Sequence, residues 1–426
     1  MLLNYLKKIN KISDDYFDSI RIILDEKLHY FGEHFKNPSE FRLPLNKLKD
    51  FIYDLIFRVY FILDHIFLII KINKKKRPNL LSSSYFNLDD NLSDYGFNVY
   101  RPPWSIKKGQ NIGCDWELFN STLEIKRLLK NSDFQYFLSD DFLTKYTNFQ
   151  FNLTIWLKKS QIKGVIVPND VSFFENVLIK TSKKLGIPTY VFLHGFPGRY
   201  NNIDDNRADF LVVWGEKLKK NFVDAGFKKD KILVAGHPDY NRINLNQNLK
   251  FDFSNILVLT KSLNGANHSD KEVLSDRGNA ILYLKIIETV LKKNGVKKVR
   301  LRLHPSENSN WYHKYLNNEF YIIDLEPLHT SISSSSLVIG PTSTVFLESI
   351  CHGVNYLVFE PVFNSLDILN NPIVPPFDGS DMNIPIANSE EKLNFFLRNK
   401  IYVNPNCIFD YLNKSLDLSF LDNLKF

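Results

Sequence analysis

The 426-residue sequence contains only three cysteines, Cys114, Cys351 and Cys407, which are widely spaced and form no Cys-x-x-Cys pair. They supply neither a disulfide framework nor a thiolate zinc site, so a reducing compartment is expected. No Asp-x-Asp triplet occurs, which removes the usual sequence support for metal-bound nucleotide-sugar chemistry. The opening MLLNYLKKINK lacks the apolar core and small-residue cleavage site of a signal peptide, so the expected location is cytoplasmic. No helix-turn-helix, RNP or finger pattern accompanies the basic residues, so nucleic acid is not an expected partner. Internal repeats and extended low-complexity tracts are also lacking.

What remains is an ordinary globular composition, 44% hydrophobic and 24% charged, able to bury real cores. At this length one core is too few, and two domains with an appendage are expected. The net charge of +7 favours phosphates or anionic lipid without selecting either. Residues 1–80 read as a helical appendage, with one helix starting after Ser13, where Asp14 and Asp15 suit the dipole. A second helix, from about Leu45, carries Phe51, Ile52, Leu55, Ile56, Val59, Leu63, Ile66, Phe67 and Ile70 on a wide apolar surface. It is too interrupted by charge to span a bilayer. Lys71, Lys74, Lys75, Lys76 and Arg77 follow. The segment 45–77 therefore reads either as a membrane-surface anchor or as a core helix with a solvated linker.

Residues 80–135 are the least legible part, with loop-like stretches such as LSSSYFNLDDNLSDYG and an aromatic-rich RPPW. From about 140, short apolar strands alternate with helices, the pattern of a parallel sheet with crossover helices. The expected strands are 164–168, 189–193, 209–214 and 231–236, then 255–260, 298–303, 320–324, 336–340 and 355–359. A polar stretch, 244–255, divides the two sets as an interdomain linker. The expected division is 81–245 for a first Rossmann-like domain and 246–388 for a second. Residues 389–426 are read as C-terminal helices packing back on the lobes.

Ligands of open parallel sheets sit beyond the carboxyl ends of the strands, so the residues just after each strand are the candidates. His304-Pro305 follows KVRLRL, where a histidine can stabilise a departing phosphate; the plain alternative is a turn histidine. Gly340-Pro341-Thr342-Ser343-Thr344 opens a helix containing Glu348. Its hydroxyls and backbone N–H groups suit an anion, with Glu348 in reach of a ribose hydroxyl, and N-capping uses the same geometry. Lys261-Ser262 follows the strand at 255–260. On the other side His194-Gly195-Phe196-Pro197-Gly198-Arg199 offers a histidine general base on a glycine-containing loop, and His237 follows the strand at 231–236. Arg199 or Arg302 is a source of extra positive charge, or a structural ion pair.

Across residues 160–360 these motifs resemble GT-B transferases of the capsule and teichoic-acid type, the polysialyltransferase and CDP-glycerol glycerophosphotransferase-like group. The resemblance implies an α/β GT-B fold of two Rossmann-like doubly wound parallel-sheet domains. It assigns the donor's nucleotide phosphates to His304, Pro305, Thr342, Ser343 and Thr344 and makes His194 catalytic beside His304. By their places after the strands, Gly340, Glu348, Lys261 and Ser262 join the donor side, and Gly195, Arg199 and His237 fall on the acceptor side. The chain departs from that group in two motifs. Its only Asp-Gly is Asp378-Gly379 in a late loop, and Gly-Pro-Thr-Ser-Thr replaces an Asp-Tyr-Ser-Ser version.

The expected function is transfer of a sugar or alditol phosphate from a nucleotide-activated donor, CMP-, CDP- or UDP-linked, to a surface polysaccharide or lipid-linked glycan. No cofactor and no metal are expected, and the outcome is inverting if the donor is a sugar. Partners are the donor, the glycan or lipid-linked acceptor and the inner-membrane surface, with no nucleic acid. The rivals are a sugar-nucleotide 2-epimerase of the same fold and a catalytically idle binding module.

Overall fold

The computed structural model describes residues 8, 14–29, 55, 58–59, 62–63, 77–86, 88–105, 115–132, 135–197, 200, 208–240, 248–261, 278–304, 307, 309–363, 366–367 and 373–425. The first sheet is assembled from α1 (Asp14–His29), β1 (Asn79–Ser82), α2 (Leu88–Asp94), β2 (Asn98–Tyr100), α3 (Trp116–Asn131), α4 (Asp140–Lys159), β3 (Ile162–Val167), α5 (Phe173–Lys184), β4 (Thr189–Phe192), β5 (Phe210–Val213), α6 (Glu216–Asp224) and β6 (Ile232–Val234). Its order is β2-β1-β3-β4-β5-β6, and every pair is parallel.

The second set is β7 (Ile256–Leu259), α7 (Gly278–Lys293), β8 (Val299–Arg302), α8 (Ser309–Tyr315), β9 (Tyr321–Ile323), α9 (Leu328–Ser333), β10 (Leu337–Gly340), α10 (Val345–Cys351), β11 (Tyr356–Phe359), the small hairpin β12 (Val362–Phe363) with β13 (Leu366–Asp367), β14 (Ile386–Ala387), α11 (Glu390–Arg398) and α12 (Ile408–Tyr411). The sheet order β14-β11-β10-β7-β8-β9, numbered from its own first strand, is the doubly wound dinucleotide-fold order read backwards. The molecule is thus α/β, with two Rossmann-like parallel sheets in the GT-B layout. The strands that follow the change of pattern near residue 140 lie where the sequence places them, except that the two-residue strands β12, β13 and β14 have no counterpart there.

Two expectations are corrected. The stretch LSSSYFNLDDNLSDYG, read as loop-like, holds the end of β1 and the whole of α2; the described residues up to 135 add β2 and α3, and β1 is the partner of both β2 and β3. β1 and β2 are only four and three residues long and end in polar or aromatic residues, so they show no readable period. The expected linker 244–255 is already part of the second domain from Leu249 onward. Leu249 and Phe251 are buried, and Lys250 pairs in parallel with Val354, its N–H reaching Gly353 O at 2.8 Å.

α1 packs on the first domain through the Tyr16 hydroxyl to Phe137 O at 3.2 Å and a Lys180–Asp18 ion pair at 2.7 Å. One apolar core covers each sheet on its outer face. A third core runs between the sheets, joining Trp214 and Val213 to Phe346, Phe377 and Tyr411. After α11 the chain returns to the first domain: Asn413 N–H donates to Trp214 O at 2.8 Å and Asp417 N–H to Ala235 O at 2.7 Å. Gly215 makes this possible, because a Cβ there would stand 2.4 Å from the Tyr411 carbonyl carbon. Among the described residues no helix is long and apolar enough to cross a membrane.

Candidate functional site

The carboxyl edges of the two sheets meet. The loop after β4 touches the loop after β10 directly: Phe196 N–H donates to Thr344 Oγ1 at 3.0 Å, and a Cβ on Gly195 would lie 3.2 Å from the same oxygen. Phe196 holds the contact by packing edge-on against Trp214, Phe377 and Tyr411, with ring centroids 5.3–5.8 Å away. Histidine, glycine and phenylalanine thus have separate tasks in one motif. Glycine allows the close approach and phenylalanine anchors the loop.

His194 is exposed beside this contact. Its Nδ1 lies 2.8 Å from Pro168 O. A carbonyl only accepts, so Nδ1 carries the hydrogen and Nε2 keeps its lone pair. That tautomer is what a general base requires.

On the facing side Lys261, just after β7, donates to Thr342 Oγ1 at 2.6 Å, and its Nζ stands 4.0 Å from Glu360. Burial pushes the Lys261 ammonium below the ordinary lysine range, and Glu360 opposes the shift. Glu360 is 2% exposed and also accepts Thr342 N–H at 2.5 Å. The sequence reading missed Glu360, although it follows β11 at the same sheet edge and the rule that selected its neighbours covers it equally.

His304 is exposed after β8, and its backbone N–H is shared between Thr260 Oγ1 at 2.9 Å and Glu307 Oε2 at 3.0 Å. Glu307 further accepts the Thr260 hydroxyl and the Tyr312 hydroxyl, the latter at 2.6 Å. Burial, with help from Glu307, raises the Tyr312 phenol far above its ordinary value, so it stays a donor. Glu307 and Tyr312 are a second pair that the sequence did not reveal, since their role comes from a loop folded back on β7.

Several candidates stand elsewhere than expected. Thr344 does not cap its helix; its hydroxyl serves the other domain, and Ser343 Oγ accepts Val345 N–H at 3.2 Å instead. Gly340 lies under the loop, where a Cβ would meet the Tyr356 hydroxyl at 2.3 Å, so its service is to leave room for that ring. Glu348 is engaged by Tyr240 of the first domain; burial raises its carboxyl, and the Tyr240 hydrogen bond draws it partly back.

His237 is not on the loop surface. It is 2% exposed among Phe86, Trp214 and Tyr240, at 4.2–4.8 Å between centroids, and burial pushes its pKa down to about 3. Its Nδ1 accepts Asp239 N–H at 3.1 Å, which makes it a neutral structural histidine. Arg302 is committed to Asp324 at 3.3 Å and Ser331 Oγ at 3.2 Å, the ion-pair alternative of its two readings. Pro305, Ser262, Gly198 and Arg199 lie outside the described residues, as does most of 45–77.

No known protein family matches the sequence, and no curated protein matches it. Solved structures with a similar layout include UDP-GlcNAc 2-epimerase from Neisseria meningitidis bound to UDP-GlcNAc, at 13% identity and TM-score 0.46 over 82% of this chain and 96% of that one. Others are Acinetobacter baumannii MurG, at 13% identity and TM-score 0.41 over 82% and 98%, and a variant of the wall teichoic acid polymerase TagF, at 13% and 0.43 over 80% and 85%.

Proposed function

We propose that the chain is a transferase that moves a sugar or alditol phosphate from a nucleotide-activated donor to a hydroxyl of a cell-surface glycan or lipid-linked acceptor. The observation that carries this reading is the direct contact of the His194 loop with the Thr344 loop, which puts a tautomer-fixed imidazole beside a phosphate-friendly edge. In the proposed step the acceptor oxygen attacks the donor's reacting carbon or phosphorus while its proton passes to His194 Nε2. The bond from that atom to the leaving phosphate oxygen breaks, and its electron pair departs with the nucleotide. Lys261, Thr342, Ser343 and the His304 loop surround the departing charge, so positioning and fixed electrostatics supply the rate. If the donor is a sugar, a single displacement inverts the anomeric centre.

The same reading puts the protein on the inner membrane surface. Leu55, Val59, Ile62 and Leu63 fall on one helical face by their spacing and are 49–52% exposed, while Arg58 at the border of that face reaches Asn120 Oδ1 at 3.2 Å. The basic cluster 71–77 follows, and each such charge near anionic lipid is worth about 1 kcal/mol, screened by salt.

Calorimetric titration with CMP, CDP, UDP and GDP tests the transferase reading. Micromolar binding of one nucleotide is expected, and binding of none overturns it. Incubating the protein with the matching nucleotide sugar and no acceptor separates the nearest rival: an epimer formed without acceptor replaces transfer by 2-epimerisation. Co-sedimentation with anionic liposomes tests the membrane placement. Protein left in the supernatant at low salt refutes it.

A further inference from the structure

We propose that Tyr85 and Asn169 form an acceptor subsite beside His194 and that the group held there is an uncharged pyranose; this deepens the transferase reading and rests on His194 as the acceptor-side base. β1 and β3 are neighbours in the sheet although β2 intervenes in sequence. They are therefore the switch point of the first domain, where adjacent crossovers leave in opposite directions and open a crevice beyond the strand ends. Tyr85 stands three residues after β1 and Asn169 two residues after β3.

The geometry at that point is specific. The Tyr85 ring is perpendicular to His194, at 89° with centroids 5.2 Å apart, yet Tyr85 remains 54% exposed. Asn169 is held rigidly, because its Oδ1 accepts Val171 N–H at 3.2 Å, Ser172 N–H at 2.9 Å and the Ser172 hydroxyl at 2.8 Å. That fixes the amide so that its Nδ2 points to the Tyr85 hydroxyl, 3.5 Å away. Burial raises the Tyr85 phenol above its ordinary value, so it remains a neutral donor and acceptor.

An open aromatic face next to a base, flanked by an oriented amide and a phenol, matches a sugar ring. A pyranose has one face of C–H groups, which suits the electron-rich face of an aromatic ring, and a rim of hydroxyls, which suits the two polar groups. Glu175, the ionisable neighbour acting on the Tyr85 phenol, is buried and accepts from Trp104 Nε1 at 3.1 Å; burial pushes its carboxyl above the ordinary range, and hydrogen bonds from Trp104 and the backbone, with the Lys126 charge, draw it partly back. A neutral sugar is indifferent to the charge of that group, whereas an anionic acceptor such as a glycerol phosphate is repelled whenever it is ionised.

Saturation-transfer NMR on the full-length protein, with the methyl β-glycosides of glucose, galactose and N-acetylglucosamine and with glycerol 3-phosphate, tests the proposal. At least one glycoside is expected to bind. Tyr85→Leu should weaken it tenfold or more, Tyr85→Phe and Tyr85→Trp, which keep the ring and lose the phenol, should weaken it clearly less than the leucine variant, and nucleotide affinity should be unchanged in all three. Binding of no glycoside to the unaltered protein overturns the proposal. So does binding of glycerol 3-phosphate alone, or equal loss in the leucine and phenylalanine variants. Glycoside binding through Tyr85 with no nucleotide bound would refute the transferase and leave the subsite standing. Nucleotide binding with His194-dependent turnover, indifferent to Tyr85, would do the reverse.

Discussion

Replacing Lys261 by methionine keeps the stem length and deletes one charge, which makes the consequence calculable. The ammonium stands 4.0 Å from a carboxylate that is almost fully buried. At an effective dielectric constant of about 20, unit charges at that distance interact by about 4 kcal/mol. A hydrogen bond from a charged donor contributes about 1.5–3 kcal/mol. A nucleotide diphosphate bound here would lose the ammonium and, in addition, face Glu360 without its countercharge. The expected cost is about 2–4 kcal/mol, roughly 30- to 1,000-fold in Kd. Glu360→Gln in the same chain removes the uncompensated anion while its amide oxygen still accepts Thr342 N–H, so the double variant should recover about tenfold over Lys261→Met alone. Titration calorimetry with CDP and UDP measures each corner of this cycle, and circular dichroism checks that the fold is kept. Binding by Lys261→Met within threefold of the parent refutes the assignment of this edge to the donor phosphates. A double variant no better than the single one refutes the role given to Glu360.

His194→Ala should lower turnover by about 10² to 10⁴ and leave nucleotide affinity nearly unchanged; equal loss of both would make it a donor ligand or a structural residue. His237 has a folded pKa of about 3, below the ordinary 6.5, so its neutral form stabilises the fold fully above about pH 6.5. That contribution drains away as pH falls toward 3, the loss reaching about 2 kcal/mol at pH 5. His237→Asn, which keeps an acceptor for Asp239 N–H, should flatten the fall of the urea midpoint between pH 6.5 and 4 when followed by tryptophan fluorescence; an unchanged slope rules this out. Gly215→Ala should cost about 1–3 kcal/mol by overpacking against Tyr411 and expose residues 405–425 to limited proteolysis. A melting temperature equal to the parent's would show that the backbone yields without penalty.

The parts legible in the sequence are those in which burial on both sides imposes a continuous apolar run. GVIV, YVF, LVV, ILVL, LVIG and YLVF each become an inner strand, because a sheet covered on both faces admits little else. Two elements escaped because they are short and partly polar. NLLS, although an inner strand, and NVY at the sheet edge have four and three residues, and the Asn98 side chain donates to Asn79 Oδ1 at 3.0 Å, so a polar contact helps hold a pairing that apolar pattern would otherwise announce. The candidate site divides the same way. His194, Lys261, His304 and Thr342 could be found because each follows a strong strand. Tyr85 was hidden behind a weak one. The separation of Thr344 from helix capping, and of His237 from the surface, depends on which side chains the other domain brings close, and a local pattern does not carry that.

The return of the chain after α11 also has a mechanical meaning. The polypeptide passes from the first lobe to the second between β6 and β7 and passes back between α11 and the Asn413 contact with Trp214. A body tied at two points has fewer ways to turn against its neighbour than a body tied at one. The two crossings therefore act as a pair of stays, which favour the register in which the Phe196 loop meets the Thr344 loop and His194 faces the second lobe.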